Sequence, residues 1–351
     1  MTGSDRDGVT ATGRPDLPRI VVLGRDRHDR PPGIDVLEGR AEIEVVDADR
    51  LPAAIPGADG LFVWDFFSPA VRAAWPQADR LRWIHVAATG VDAVLFDELV
   101  DSDVTLTHAR GMFDQPIAEY VLAMILAHSK LLFQTRELQQ QHRWEHRETR
   151  SLQGQRAMIV GTGGIGRAIA RLLTAAGMTV RGAGRVAAQG DPDFGEVIAS
   201  SELAGHVGDV DHLVMIAPLT SATKGLIDRH VLSALPARSH LINVGRGPSV
   251  DEDAVLQALR SGQLGAASLD VFGSEPLPED HPFWDEPTMF VSPHMSGDTE
   301  GWLERLAGQF VDLAERWLDG RELINVVDKA RGYGSSATAP DPATTREGRT
   351  P

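Results

Sequence analysis

The fold is decided by the stretch Ala157-Met158-Ile159-Val160-Gly161-Thr162-Gly163-Gly164-Ile165-Gly166-Arg167-Ala168-Ile169-Ala170. A short apolar run typical of a β-strand leads directly into a Gly-x-Gly-x-x-Gly turn, and a helical pattern follows the turn. In such a turn one glycine permits the tight bend, one lets the backbone approach a pyrophosphate, and one lets the helix pack on the strand. The phosphates then lie at the N-terminus of the helix. The stretch therefore predicts the first βα unit of a dinucleotide-binding domain, with an ordinary glycine-rich loop as the alternative.

Length and composition set the broad class of the protein. The chain has 351 residues, enough for two domains. Its 50 acidic and 34 basic residues give a net charge of -16, which argues against nucleic acid or an anionic membrane as partner. Because the chain has no cysteine, disulfides, thiolate nucleophiles and zinc–thiolate sites are excluded. The sequence shows no signal peptide and no apolar run of membrane-spanning length, so we expect a cytoplasmic protein without a membrane partner.

Short β-type runs, separated by helical or loop stretches, begin near Arg19 and predict a small parallel α/β domain. They cover residues 20–24, 43–46, 60–64, 83–86 and 104–107. Thr89 and Gly90 follow the fourth run and are candidate substrate contacts, because ligands gather at the carboxyl ends of parallel strands. A plain turn is the alternative. Trp64 ends the third run and is a candidate wall of the substrate pocket, with burial in the core as the alternative.

A long helix is predicted to start at Asp114-Gln115-Pro116, because proline in the first turn is a good start signal. Its first half is apolar nearly all round, and its second half, residues 136–150, is strongly polar. Trp144 stands alone among charges in the second half. It either packs against its own chain or lies at a subunit interface.

Five strand patterns follow the glycine turn at βα spacing, and with the strand at 157–160 they predict a six-strand doubly wound sheet. They cover residues 178–180, 213–217, 240–244, 266–271 and 289–292. We expect residues 116–297 to form the dinucleotide-binding domain. Residues 18–115 together with 298–330 should form the small parallel α/β domain, so that the chain passes from one domain to the other twice. Composition predicts a disordered N-terminus over 1–17 and a disordered tail over 331–351.

Three successive strand ends carry polar side chains that together are typical of an active site. Arg246, Glu275 and His294 follow the last three strands of the predicted sheet. Taken singly, each also has a simpler interpretation, as a solvated loop residue, a turn or cap residue and a satisfied loop histidine.

These motifs resemble the D-isomer-specific 2-hydroxyacid dehydrogenase family over about residues 19 to 330. The resemblance implies two Rossmann-like doubly wound parallel-sheet α/β domains, a flavodoxin-like substrate (catalytic) domain and a dinucleotide-binding domain, with the active site in the cleft between them. It also implies a homodimer and a place near the NADP-preferring glyoxylate/hydroxypyruvate reductase branch. The matching runs are 88–92, 109–120, 161–166, 242–247, 269–276 and 292–297.

The resemblance assigns roles that suit the residue types. Arg246 would hold the carboxylate and carbonyl of a 2-oxo acid, and His294, hydrogen-bonded by Glu275, would exchange a proton with the carbonyl oxygen. Backbone N–H groups of Thr89 and Gly90 would complete the carboxylate cradle. Asp270 would face the nicotinamide amide. The implied cofactor-binding set is Gly161, Gly163, Gly164, Ile165, Gly166, Arg185, Pro218, Thr223, Val244, Asp270 and Gly297.

One departure bears on the choice of cofactor. Gly184 stands where NAD-binding folds carry the acidic residue that binds the ribose 2′-OH, and Arg185 follows it. Without a carboxylate to repel a 2′-phosphate, and with an arginine to bind one, the chain is predicted to prefer NADP(H), with NAD(H) as a second possibility. A solvated Arg185 and a competing Arg181 are the alternatives.

The predicted activity is reduction of a small 2-oxo acid to a D-2-hydroxy acid. The alternative is a dinucleotide-sensing binding protein of the corepressor type on the same fold. No histidine–carboxylate cluster has metal-ligand spacing, so no metal site is expected.

Overall fold

The structure is a computed structural model that describes residues 17–334. Disorder was predicted for residues 1–17 and 331–351, and of these segments residues 1–16 and 335–351 lie outside the described range. The chain divides into two compact units, which we describe separately. Within the described range, the first unit holds residues up to 109, 303–330 and 334, and the second holds 110–302 and 331–333.

The first unit is built on a five-stranded parallel sheet in the order β2-β1-β3-β4-β5, which is the flavodoxin-like order. Every residue of β3 and β4 is buried, as expected for parallel strands covered on both faces. The prediction of a flavodoxin-like domain is therefore confirmed. The elements are β1 Arg19–Leu23, β2 Glu42–Val46, α1 Leu51–Ala54, β3 Gly60–Val63, α2 Ala70–Ala74, β4 Trp83–Val86, α3 Asp97–Val100 and β5 Thr105–His108.

The second unit contains an eight-stranded sheet in the order β13-β12-β11-β10-β6-β7-β9-β8. Its central part, from β9 through β6 to β12, has the strand order of the Rossmann fold, so this prediction is also confirmed. The strands are β6 Arg156–Val160, β7 Thr179–Gly184, β8 Ala188–Asp191, β9 Gly195–Ala199, β10 His212–Met215, β11 His240–Asn243, β12 Ala266–Leu269 and β13 Met289–Val291. The helices are α4 Asp114–Ser129, α5 Leu132–Gln140, α6 Gly164–Ala175, α7 Arg229–Ala234 and α8 Glu252–Ser261.

The six-strand prediction was wrong by two strands, β8 and β9. They form an antiparallel hairpin at the sheet edge, with β8 outermost. The hairpin is fixed to α6 by Arg167, which pairs with Asp191 and Asp193 at 2.8 Å each. Because β8 is largely exposed and ion pairs anchor the hairpin, its sequence has no strong apolar alternation.

The single long helix predicted from Asp114 was also wrong. Two helices occur, α4 and α5, bent by 60° at a break where Leu131 adopts a left-handed φ of 54°. The second helix buries only Leu138, and residues 141–150 form no regular structure. A polar segment with one buried side chain has little packing energy to extend a helix. Within residues 17–334 no single helix has the length and apolarity to cross a membrane, although α4 and α5 pass that test as a bent pair.

The C-terminal part of the first unit is organised by helix α9, Trp302–Leu318. Phe310 stacks on Phe62 of β3 with ring centroids 3.8 Å apart, and on Trp83 of β4 at 5.5 Å. Two short strands come after α9, β14 Val327–Asp328 and β15 Tyr333–Gly334. Between them, Lys329 donates hydrogen bonds to the carbonyl oxygens of Leu99 and Val104. The predicted unstructured tail was therefore placed too early, because β15 lies after residue 331.

Candidate active site

The glycine-rich turn between β6 and α6 leaves an open helix N-terminus. Gly161 has a φ of 119°, and a Cβ on Gly166 would lie 1.9 Å from the Gly161 carbonyl oxygen, so both positions require glycine. Around Gly163, by contrast, no described atom lies within 4 Å of where a Cβ would stand. Gly163 is the N-cap of α6, and it has no side chain to cover the first turn of the helix. The Asp114 carboxylate lies on the other side, against Gly164. In folds of this type the pyrophosphate binds at such a helix N-terminus.

The end of β7 is shaped by Thr162 from the same turn. A Cβ on Gly184 would lie 3.0 Å from Thr162 Oγ1 and 3.3 Å from Val197 Cγ1, so any side chain there would have to move its neighbours. Arg185 follows immediately and is exposed. Arg181, within β7, pairs with Asp209 at 2.5 Å, so its guanidinium is held in an ion pair.

The loop after β10 is closed by Thr223. Its Oγ1 donates to the Pro218 carbonyl at 2.6 Å and accepts from the Thr220 backbone N–H at 2.8 Å. Val244 is buried, with its N–H bonded to the Met215 carbonyl. These bonds fix the backbone at two strand ends of the predicted cofactor site.

Arg246 lies in a tight turn after β11. The turn is held by Asn243, which the sequence analysis did not predict as a functional residue. The side chain of fully buried Asn243 accepts the Gly245 N–H at 3.1 Å and donates to the Arg246 carbonyl at 3.1 Å. A Cβ on Gly247 would lie 1.9 Å from the Phe272 carbonyl carbon. The one sequence signal for Asn243 was a polar residue ending an otherwise buried strand.

His294 and Glu275 form a direct pair, as expected. His294 Nδ1 lies 2.8 Å from Glu275 Oε2, and Glu275 Oε1 accepts the Phe272 N–H at 2.8 Å. Burial raises the pKa of the Glu275 carboxyl, but its hydrogen bonds with His294 and Phe272 and the charges of His294 and Arg246 outweigh burial and set that pKa below its ordinary value. An ionised carboxylate only accepts hydrogen bonds, so Nδ1 is the donor in this pair.

The segment carrying His294 is held by Asp270. His294 has a left-handed φ of 53°, and its N–H donates to the Asp270 carbonyl at 2.8 Å. The fully buried Asp270 carboxylate accepts the N–H groups of Met295 at 3.0 Å and Ser296 at 2.9 Å. Asp270, expected only as a cofactor contact, thus also fixes the loop of the predicted catalytic histidine. Gly297 ends this loop, and a Cβ there would lie 2.7 Å from Phe113 Cδ1.

The remaining predicted residues belong to the first unit. Trp64 is buried, at 6% exposure, and its Nε1 donates to Asp29 Oδ1 at 3.2 Å, in agreement with the core alternative. Thr89 and Gly90 lie half-buried at the carboxyl end of β4. The carbonyl of Thr89 accepts a hydrogen bond from His108 Nδ1 at 2.7 Å, which fixes the backbone there.

Together, a Rossmann-ordered sheet, an open glycine turn and a His–Glu pair at consecutive strand ends define a dinucleotide-binding protein of the dehydrogenase class. Comparison with known proteins identifies the family. A family model described as "D-isomer specific 2-hydroxyacid dehydrogenase, NAD binding domain" matches residues 122–296. Glyoxylate/hydroxypyruvate reductase A of Serratia proteamaculans is 32% identical over 263 residues, which are 72% of this chain and 82% of that protein. The chain belongs to the D-isomer specific 2-hydroxyacid dehydrogenases.

Solved structures agree with this assignment. A family member from Aeromonas salmonicida is 29% identical with a TM-score of 0.75, over 89% of this chain and 99% of its own. The NADPH-dependent glyoxylate/hydroxypyruvate reductase of Sinorhizobium meliloti, solved with NADP and sulfate, is 27% identical with a TM-score of 0.75, over 90% and 100% of the two chains.

Proposed function

We propose that this chain is an NADPH-dependent reductase that converts small 2-oxo acids of the glyoxylate and hydroxypyruvate type into D-2-hydroxy acids. The observation that carries the proposal is the 2.8 Å pair of His294 Nδ1 and Glu275 Oε2, with the charge of Arg246 acting on the same carboxylate. The Serratia and Sinorhizobium relatives are named as glyoxylate/hydroxypyruvate reductases, which supports the choice of substrate.

The chemistry of the pair follows from its geometry. Nδ1 of His294 donates to Glu275, and we assign Nε2 as the nitrogen that gives its proton to the carbonyl oxygen. The Glu275 carboxylate stabilises the imidazolium before the proton leaves. Bound NADPH supplies the hydride for the carbonyl carbon, so one hydride and one proton turn the C=O into a CH–OH. The planar guanidinium of Arg246 suits the substrate carboxylate.

The glycine turn fits the proposed cofactor, because Gly163 leaves room for a phosphate at the N-terminus of α6. Arg185 would bind the 2′-phosphate, and Asp270 the nicotinamide amide. The test is Arg185→Ala, with Arg181→Ala as its matched control because Arg181 is paired with Asp209. We expect Arg185→Ala to lower kcat/KM for NADPH about tenfold and to leave the value for NADH unchanged. An equal loss with both cofactors would refute the role of Arg185.

We also propose a homodimer. The Trp144 side chain is completely exposed in the irregular segment 141–150, which rules out packing against the described part of its own chain. A second copy seated on this segment would cover the indole. Light scattering should give twice the chain mass for the wild type and a smaller mass for Trp144→Ser. Trp284→Ser, which removes another half-exposed indole, is the control. A monomeric wild type would refute the dimer.

The experiment for the activity is a panel of glyoxylate, hydroxypyruvate, pyruvate, phenylpyruvate and 2-ketopantoate, each with NADPH and with NADH. We expect the fastest turnover with NADPH and glyoxylate or hydroxypyruvate. Tight NADPH binding without turnover of any acid would refute the reductase and favour a dinucleotide-sensing binding protein.

A further inference from the structure

A tyrosine on α4 reaches the active-site loop from a distance of 172 residues along the chain. The Tyr120 hydroxyl is hydrogen-bonded to Ser292 Oγ, directly after β13. Ser292 Oγ in turn donates to Asp270 Oδ1 at 2.6 Å. The proposed reaction assigns no role to Tyr120 or Ser292.

The direction of this chain of hydrogen bonds is set by Asp270. A carboxylate only accepts, so the single hydroxyl proton of Ser292 points to Asp270, and Tyr120 must donate to Ser292. Burial raises the pKa of the Tyr120 phenol to about 12, so the phenol keeps its proton at neutral pH. The hydroxyl groups of Tyr120 and Ser292 therefore form a relay of donors that ends on the Asp270 carboxylate.

Asp270 passes this constraint to His294. Its carboxylate holds the N–H groups of Met295 and Ser296, and its carbonyl holds the N–H of His294. These bonds stabilise the left-handed backbone of His294, a conformation that is unfavourable for a residue with a side chain. A carboxylate that is free to rotate would loosen two of the three bonds.

We propose that Tyr120 is a positioning residue for His294, acting through Ser292 and Asp270. The inference rests on the proposed function for its kinetic consequence, but not for its structural one. Tyr120 makes the orientation of the Asp270 carboxylate unique, and so keeps the imidazole of His294 aligned with Glu275.

The first test is kinetic and uses Tyr120→Phe, with Tyr333→Phe as the matched control because Tyr333 is the chain's other tyrosine. Loss of one buried hydrogen bond should lower kcat about five- to twentyfold. The KM values for the 2-oxo acid and NADPH should stay within about threefold, since neither ligand loses a contact. An unchanged kcat, or a loss confined to KM, would overturn the proposal.

Ser292→Ala tests whether Tyr120 acts through Ser292. If it does, the double variant Tyr120→Phe/Ser292→Ala is no slower than Ser292→Ala alone. Multiplicative losses would show that the two hydroxyls act independently and would overturn the relay.

Hydrogen exchange of the peptide around Met295 and Ser296 gives a readout that needs no activity. Tyr120→Phe should accelerate exchange of these amides about threefold or more, whereas Tyr333→Phe should not. If the wild type reduces no 2-oxo acid, the proposed function fails and this exchange result still decides the positioning role. Unchanged exchange in Tyr120→Phe would overturn that role.

Discussion

Replacement of Glu275 by glutamine tests the His–Glu pair most sharply. The carboxylate accepts hydrogen bonds from His294 Nδ1 and from the Phe272 N–H, both at 2.8 Å. A glutamine oxygen can accept one of these donors, and its NH₂ group would then face the other. A hydrogen bond to a charged group contributes about 1.5–3 kcal/mol, and 1.36 kcal/mol is tenfold in rate. Since both side chains are 31% exposed, solvent weakens the pair, and we expect the lower half of that range. Glu275→Gln should lower kcat roughly 10- to 40-fold.

The assay is NADPH oxidation with glyoxylate over a range of pH. Because the variant stabilises the imidazolium less, the decline of reduction at high pH should begin at lower pH than in the wild type. Glu252→Gln is a matched control, since Glu252 also accepts a backbone N–H of this segment, that of Gly273 at 2.7 Å. We expect the control to stay within about threefold of the wild type. A Glu275→Gln variant with the kcat and pH profile of the wild type would refute the assigned role.

Three further predictions follow from burial and charge. The Asp114 carboxylate lies against Gly164 of the glycine turn, and burial raises its pKa. As pH rises through that pKa, the carboxyl becomes negatively charged and repels the phosphates, so NADPH affinity should weaken. Titration calorimetry should find the NADPH affinity of Asp114→Asn less sensitive to pH than that of the wild type, and equal sensitivity would contradict this. Burial lowers the pKa values of His85 and His212 from the ordinary 6.5 to about 3. Both histidines are neutral in the folded protein but take up a proton in the unfolded chain below pH 6.5. The fold therefore has its full stability above pH 6.5 and loses it as pH falls towards 3. The free energy of urea unfolding should fall by about 1.6 kcal/mol per histidine between pH 6.5 and pH 5, and a flat profile would contradict it. Phe310→Ala should cost about 3–5 kcal/mol of unfolding free energy, because Phe310 is fully buried and stacks on two aromatic rings. Phe67→Ala, at an exposed ring, should cost under about 0.5 kcal/mol. Equal losses in the two variants would contradict the role of α9.

The sequence could predict those parts of the fold that depend on short-range patterns of apolar, polar and glycine residues. The glycine turn and the apolar runs around it fix strand, turn and helix over fifteen residues or so, and each strand end is visible where an apolar run meets a polar residue. Arg246, Glu275 and His294 were found in this way. Their strands are neighbours in the sheet, so ends that are distant in sequence lie at one edge.

The features that the sequence could not predict depend on pairing between distant residues. The bond between Tyr120 and Ser292 joins residues 172 positions apart, and the hairpin of β8 and β9 depends on Arg167 from a preceding helix. In the sequence, Tyr120 belongs to the apolar first half of the helix that begins at Asp114, so the pattern predicted only burial for it. The left-handed φ of His294 could not be predicted either, because only a few per cent of residues other than glycine adopt it and most histidines, although enriched there, do not.

We propose that His294 is the proton donor of an NADPH-dependent reductase. A comparison of the wild type with His294→Gln tests this role through two quantities, NADPH affinity and turnover of glyoxylate or hydroxypyruvate. We expect unchanged NADPH affinity in the variant and a loss of kcat of about a hundredfold or more, the usual contribution of general acid catalysis. A variant that still turns over at the wild-type rate, or a wild type that binds NADPH and reduces neither acid, would contradict it.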